Sequence, residues 1–441
     1  MKAPSHFLSR ACGLAVLTTL CLAPALAPVA HADDEDVLPT IVISDPNRDL
    51  FRLALPPATG SGGLAQAATD IERRDLDLVG LFRVLDPKSF PDMLVQEGMG
   101  FSSELWSQVG AQGVAKIRAV SEAKGVLLEG KLYQVGRGDT AVFSKTYRGS
   151  EIRPLVHAWA NDVIEQFTKI RGVFGSRIAF AMKGRRGEIA TIGMDGQELH
   201  VVTHMKSECL LPAISPSGSK IAFNSFLRGG ADLWVVSSGG GRASRVSSRP
   251  GLNTGPAWYP NGSLVATLSY EGNAELYKLS PQNGKIIARL TNSRNSIDSS
   301  ASVSPNGAQI AFVSDRQGTP QIFLMSAAGG AARRLTFQGN YNQTPRFSPR
   351  ADQPLIAFTG RDERLAFDIF LYDLRTGKID RVTQGHGSNM DPSFSPDGRL
   401  LVYASSRGGL WVMNLQTRKE TQIYRGGAKN PSWGPAPAPP R

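Results

Sequence analysis

One phrase recurs at a nearly constant interval through the C-terminal half of the chain. A short strand runs into Ser-Pro-x-Gly, and a second apolar strand follows. The clearest copies are Ser304-Pro305-Asn306-Gly307 before Ile310-Ala311-Phe312, and Ser395-Pro396-Asp397-Gly398 before Leu401-Val402-Tyr403. Pro216, Pro260, Pro305, Pro349 and Pro396 stand 44, 45, 44 and 47 residues apart. A strand-rich repeat of about 40–45 residues is the mark of a β-propeller blade, because such a unit cannot bury both its faces alone and must stack against neighbours in a ring.

Each repeat parses into four strands. The first ends in an aromatic or β-branched residue such as Trp258, Val303 or Phe347. Proline then sets φ for the turn, and glycine takes the position that needs a positive φ. The second strand, as in Ile221-Ala222-Phe223 or Ile356-Ala357-Phe358, is apolar on both faces and is expected between blades. A third strand alternates, and the fourth ends in Leu-Thr or Val-Thr at Thr291, Thr336 and Thr383. Counting second strands gives six blades. The blade that begins at Ile178 has no first strand of its own, while Asn430-Pro431-Ser432-Trp433 has no second strand after it. The C-terminal strand is therefore expected to complete the first blade and close the ring, leaving few free edges.

The N-terminal region reads differently. Lys2 and Arg10 precede an apolar run from Ala11 to Leu26, and Ala30-His31-Ala32 offers an A-x-A cleavage site before Asp33-Asp34-Glu35-Asp36. That is an export leader, with cleavage expected after Ala32. Cys12 and Cys21 fall inside it, so Cys209 is left alone and no intrachain disulfide is expected in the processed chain. The formal charge of +11 is carried by scattered basic residues, with no run that resembles a nucleic-acid-binding stretch. Residues 45–168 mix helix and strand. Ala65 to Asp75 lacks Gly and Pro and reads as a helix, Val126 to Gln134 and Ala141 to Tyr147 read as a hairpin, and Leu155, Val156, Trp159, Val163, Ile164 and Phe167 trace a helical stripe. The expected fold class is an α/β N-terminal domain plus an all-β six-bladed β-propeller closed by a C-terminal strand. The expected divisions are a leader at 1–32, a mobile segment at 33–44, the α/β domain at 45–168, a linker at 169–176, the propeller at 177–435 and a disordered tail at 436–441.

Catalytic signatures are absent: there is no G-x-S-x-G elbow, H-E-x-x-H or P-loop, and neither a catalytic residue, a cofactor nor a metal is expected. His200 and His204 fall in a stretch that reads as a strand, with no carboxylate pattern beside them. His157 sits next to the helical stripe and is expected to pack between domains. His386, Asp315 and Asp397 read as turn residues, and Cys209 as a small residue at the start of a strand. Function in a propeller tends to sit on the loops around the channel, where a stiff scaffold holds them. The residues just before each channel-lining strand are expected to form that set: Leu210, Leu211, Asn253, Thr254, Gly255, Asp298, Ser299, Ser300, Gln343, Thr344, Met390, Asp391, Lys429 and Asn430. A lactonase-like propeller enzyme would need metal-binding carboxylates at this mouth, and a glycan-binding or sensor propeller would favour aromatic residues there. Both are kept as alternatives to a protein-binding role.

The stretch from Ala158 to Phe180, in which a helix leads through Ile170-Arg171-Gly172-Val173-Phe174 into the first blade, resembles the domain junction of the TolB family. Gly80-Leu81-Phe82-Arg83-Val84-Leu85 resembles that family's helix-to-strand element. The resemblance covers nearly all of the chain beyond the leader. It implies a non-enzymatic periplasmic adaptor of the Tol-Pal system, which supports outer-membrane integrity and constriction during cell division. It implies that the mouth residues bind the peptidoglycan-associated lipoprotein Pal, and that the N-terminal segment, including Asp36, Val37, Leu38 and Ile41, binds TolA. Two positions depart from the family's pattern. Leu252, Ser299 and Ser300 stand where acidic or His residues are common, and the start at Asp33-Asp34-Glu35-Asp36 is not the usual one.

Overall fold

The computed structural model describes residues 50–184, 186–361, 365–385 and 387–438. The leader, Asp36, Val37, Leu38, Ile41 and His386 lie outside the described residues.

The α/β domain is a mixed sheet in the order Phe82–Val84, Phe51–Ala54, Gly113–Glu122, Gly125–Gln134, Phe143–Gly149. Phe51–Ala54 is parallel to both its neighbours, and the last three strands form an antiparallel meander. The helices Gly62–Leu78 and Ile152–Thr168 pack together on one face. Pro154 falls in the first turn of the second helix, where a missing N–H costs nothing, and Lys169 ends it in the left-handed conformation. Trp159 is fully buried, stacks on Phe143 and donates its indole N–H to Glu72 at 2.7 Å. It lies so close to the sheet that Gly130 is required beneath it: a Cβ there would stand 2.4 Å from the indole. The other face is covered by Phe90, Leu94 and Trp106 from short helical segments. Neither those segments nor Gly113–Glu122, one of the domain's two longest strands, stands out in the sequence. Lys116 and Arg118 interrupt the strand's alternation, and only the structure shows Lys116 buried on Glu97 at 2.5 Å.

The rest of the described chain is six four-stranded antiparallel sheets, each ordered from the channel outward. The channel-lining strands are Cys209–Ile214, Asn253–Trp258, Asp298–Val303, Asn342–Phe347, Asn389–Phe394 and Ala428–Trp433. The ring closes as the strand count requires. Ala428–Trp433 pairs antiparallel with Arg177–Met182, and the Trp433 indole donates to Ser176 Oγ at 2.9 Å. The repeated turn is built alike in four blades: Gly218, Gly262, Gly307 and Gly398 have φ between 70° and 81°, and each N–H closes the turn onto the residue three before it. The fifth copy, at Ser348, has no glycine and makes a longer turn that closes from Ser348 onto Leu355, which accounts for the 47-residue interval. The proline-rich end is irregular and exposed through Ala438, although Pro437 lies against Gly175 and Pro435 against Gly218.

Candidate partner-binding face

The six channel strands share one local geometry. The register with the second strand slips between the second and fifth residue of each, a β-bulge in every blade. At the third position Leu211, Gly255, Ser300, Thr344, Asp391 and Asn430 all have φ between 50° and 62°. In five of the six strands proline follows at once and cannot donate to a ladder, so the pairing breaks where the chain turns out of the pleat. These strained positions sit at the same level around the channel. Asn430 donates to Asp391 Oδ2 through its N–H at 3.2 Å and its Nδ2 at 2.9 Å, while Asn430 Oδ1 accepts from Leu211 N at 3.4 Å. Asp391 N donates to Thr359 Oγ1 at 3.0 Å, and Asn224 Oδ1 receives Gly255 N and Thr254 Oγ1. The polar atoms at the mouth are thus largely occupied in tying blade to blade.

The residues expected at the mouth divide by position. Leu210, Thr254, Ser299, Gln343, Met390 and Lys429 at the second place, and the six left-handed residues at the third, are half-buried around the opening. Asn253 and Asp298 are not part of that surface. They hold the first place, and their side chains are fully buried in the blade. Asn253 Oδ1 accepts from Ser247 Oγ at 2.6 Å, and Asp298 accepts from Ser293 Oγ and Arg316 Nη2 at 2.8–2.9 Å. A buried carboxylate or amide needs such partners, and these connect successive blades. The same work is done elsewhere by Asn342 on Gln321 and Asn389 on Asp368, the first residues of the next two channel strands.

What the open face presents instead is apolar. Among the described residues, nine large hydrophobic side chains are exposed, and six of them lie at this end: Phe226, Leu227, Leu252, Ile297, Phe337 and Leu365. Their exposure runs from 40% at Phe226 to 71% at Phe337. Phe226 and Leu227 follow Ser225, which pairs with Cys209, and Leu252 and Ile297 immediately precede channel strands. Phe337 lies in the loop that enters Asn342–Phe347, and Leu365 beyond Gly360, which pairs with Asn342. Exposed Arg228 and Arg294 stand in the loops of Leu227 and Ile297, and exposed Lys183 and Lys206 in the loops that follow Arg177–Met182 and precede Cys209–Ile214. An apolar arc over four neighbouring blades, with cations beside it, is a protein-binding surface in character. The sequence signal that could have found it is an apolar residue placed inside a polar turn, and only Leu252 had drawn notice.

Other candidate groups resolve as structure. The strand at His200 is two residues long, and His204 lies beyond it, so the two histidines do not share a strand face. Burial pushes the Cys209 thiol up to about 11, so it is a poor nucleophile. Asp397 accepts from Ser395 Oγ, Arg399 N and Arg399 Nε inside its own turn. Asp75, His157 and Asp195 bring three potential ligand atoms within 4.8 Å of one another where the α/β domain meets the propeller. His157 Nδ1 lies 2.6 Å from Asp75 Oδ2, and the ring stacks on Phe174 of the linker. The Arg153 guanidinium is already paired with Asp195, supplying the positive charge that a cation would bring. The cluster reads as buried, hydrogen-bonded side chains packed where the domains meet, the packing role expected for His157.

The α/β domain joins the opposite end of the propeller. Arg399 reaches Thr168 Oγ1 at 2.7 Å and the Ile170 and Arg171 carbonyls at 3.2 Å; Asn414 Nδ2 donates to Val79 O at 2.7 Å; Lys419 Nζ sits 2.7 Å from Asp77. These groups lie at the Ser-Pro-turn end of their strands, so the mouth is left clear. The arrangement defines a class: a two-domain protein in which a small α/β module docks on the first and last blades at one end of a six-bladed propeller and leaves an apolar face open at the other.

Comparison with known proteins narrows the class. The family models described as TolB amino-terminal domain and TolB beta propeller domain match residues 39–141 and 164–437. The chain is 39% identical to the Tol-Pal system protein TolB of Anaeromyxobacter dehalogenans over 95% of this chain and 98% of that protein. It is 34% identical to a Protein TolB homolog of Chlorobium luteolum, a match covering 64% of this chain and 65% of the relative's length. The crystal structure of TolB from Acinetobacter baumannii superposes with a TM-score of 0.76 at 26% identity, over 88% of this chain and 97% of that one. The chain belongs to the TolB family.

Proposed function

We propose that this protein is a periplasmic adaptor of the Tol-Pal system, that its open propeller face binds the lipoprotein Pal, and that residues 33–44 bind TolA. One observation carries the first contact: among the described residues, six of the nine exposed large hydrophobic side chains gather at the end of the propeller that the α/β domain leaves free. Burial of apolar side chains contributes roughly 25 cal/mol per Å², and a rigid scaffold lowers the ordering cost of presenting them. The blade-joining hydrogen bonds at the mouth support the same reading, because they supply stiffness without leaving many polar groups to desolvate. The second contact rests on family membership, which supports partners within that system. An N-terminal segment of this kind can add to a partner's sheet edge by β-augmentation. If occupation of the mouth changes how readily that segment is released, the two sites are coupled by a free energy both ligands share.

Calorimetric titration with Pal tests the face. Phe337→Ser together with Leu252→Ser is expected to weaken binding by at least about tenfold, in line with the loss of two interface anchors. Thermal stability should move by less than about 0.5 kcal/mol, since both side chains are exposed. Unchanged affinity would remove the open face from the reading. Deleting residues 33–44 should abolish TolA binding; retained TolA binding would reject the N-terminal contact.

A further inference from the structure

Below the mouth, the fifth position of each channel strand points into the lumen. The fifth residues are Ala213, Ala257, Ser302, Arg346, Ser393 and Ser432. Five blades place a small side chain there, and one places an arginine. All six line a cavity of about 370 Å³ that runs down to the prolines of the repeated turns, Pro216, Pro349 and Pro396. Among the described residues Arg346 makes one hydrogen bond, from Nη1 to the carbonyl of Pro345 at 2.9 Å, and no ion pair. Asp391 is the acid whose charge it feels. That carboxylate is already engaged with Asn430, two places nearer the mouth on the neighbouring strand. A guanidinium carries five N–H donors in a fixed fork, so most of its donors face the cavity without a protein acceptor.

The three serines at the same level add to this. Ser302, Ser393 and Ser432 each accept a backbone N–H from the next channel strand: Phe347 N at 3.2 Å, Trp433 N at 3.0 Å and Ile214 N at 3.1 Å. Those bonds use the oxygen lone pairs and leave the hydroxyl protons to donate. The belt therefore combines one half-buried cation and three spare donors around one cavity. Desolvation there pulls the guanidinium pKa down, which means the site gains from a counter-charge. A half-buried guanidinium with one hydrogen bond and no ion pair has donors to spare, and an oxyanion on its fork would use them.

We propose that the propeller channel holds a small oxyanion, a carboxylate or a phosphate, on the Arg346 guanidinium within the belt formed by Ser302, Ser393 and Ser432. This site is separate from the open face and does not depend on which protein binds there. Held in the lumen, the anion bridges the strand of Arg346 to those beside it and adds a non-covalent tie to the ring.

Isothermal titration of the full chain with inorganic phosphate, and separately with acetate, in a chloride-free buffer tests it. Saturable binding of either ion at one site is expected, together with a rise in melting temperature that follows the same saturation curve. Arg346→Ser introduces the side chain that three other blades carry at this position, so the fold has precedent for it. It should lower the affinity by about tenfold or more, the effect of removing a charge-assisted hydrogen bond. Arg346→Gln, which keeps reach and polarity but not charge, should do the same. The proposal is overturned if the wild-type chain shows no saturable binding of either ion, or if either folded variant binds the ion as tightly as the wild type.

Discussion

The two ends of the propeller are made from the same six repeats and have opposite characters. At the Ser-Pro-turn end, charged and polar side chains are spent on the α/β domain: Arg399 on the linker, Asn414 on Val79, Lys419 on Asp77, and the Asp75–His157 and Arg153–Asp195 pairs behind them. At the mouth, polar side chains are spent on neighbouring blades, and the apolar ones are left in solvent. A boundary that includes the Arg153–Asp195 pair favours one arrangement of the two domains, because parting it would strand the buried Asp195 charge away from water. An apolar open face has no such demand and suits a partner that comes and goes. The contrast lies in the loops and unrepeated positions, since the repeat itself is common to both ends.

The largest effect should come from removing what both ends share. Ending the chain at Gly427 deletes the closing strand and with it Trp433, so both ends should fail together and cooperative thermal unfolding of the propeller should be lost. A truncated chain that melts like the wild type would mean that the ring does not unite the two ends.

A smaller effect separates them by pH. Glu72, buried under the helix pair on the docked side, has its pKa pushed up to about 8 by burial, from an ordinary 4.5. The folded chain therefore holds a proton that the unfolded chain releases between those values. Stability should be full below about pH 4.5, fall by a few kcal/mol as pH rises to about 8, and level off above it. Glu72→Gln, which keeps an oxygen for the Trp159 indole, should flatten urea-unfolding midpoints across that range, and mouth binding should not follow the change. An unaltered slope in the variant would assign the pH dependence elsewhere.

The smallest of the three is local. Arg399→Ala removes the contacts to Thr168, Ile170 and Arg171 and leaves the nearly buried Asp397 without its cationic partner, with only Ser395 Oγ and a backbone N–H still donating to it. A loss of about 2 kcal/mol in urea unfolding is expected. A loss no greater than that of an exposed-surface substitution would show that the docked side is held by its apolar core alone.

Much of this was legible in the chain. The period fixes the blade, and the orphan strand at Trp433 requires the closure that is observed, because a propeller with an unpaired strand at each end would expose two edges. The second long helix follows from its apolar stripe, the first from a run without Gly or Pro, and the hairpin from two strand-like runs across a glycine-containing turn. The Gly113–Glu122 strand escaped notice because a buried lysine looks like a polar residue until its acid, Glu97, is found beside it. Asn253 and Asp298 were assigned to the mouth because they sit next to residues that do belong there; one place along a strand reverses which side is buried. Arg346 is conspicuous only once six strands are superposed, when it replaces an alanine or a serine.

The sequence by itself determined the number of blades, the order of domains and the way the ring closes, because these follow from periodicity and from counting strands, which are local properties. Tertiary structure decided which end of the propeller stays open, which apolar residues meet solvent there, and that a single arginine enters the channel. Those outcomes depend on contacts between residues far apart in the chain, such as Arg399 with Thr168 and Asn430 with Leu211, and no local pattern encodes them.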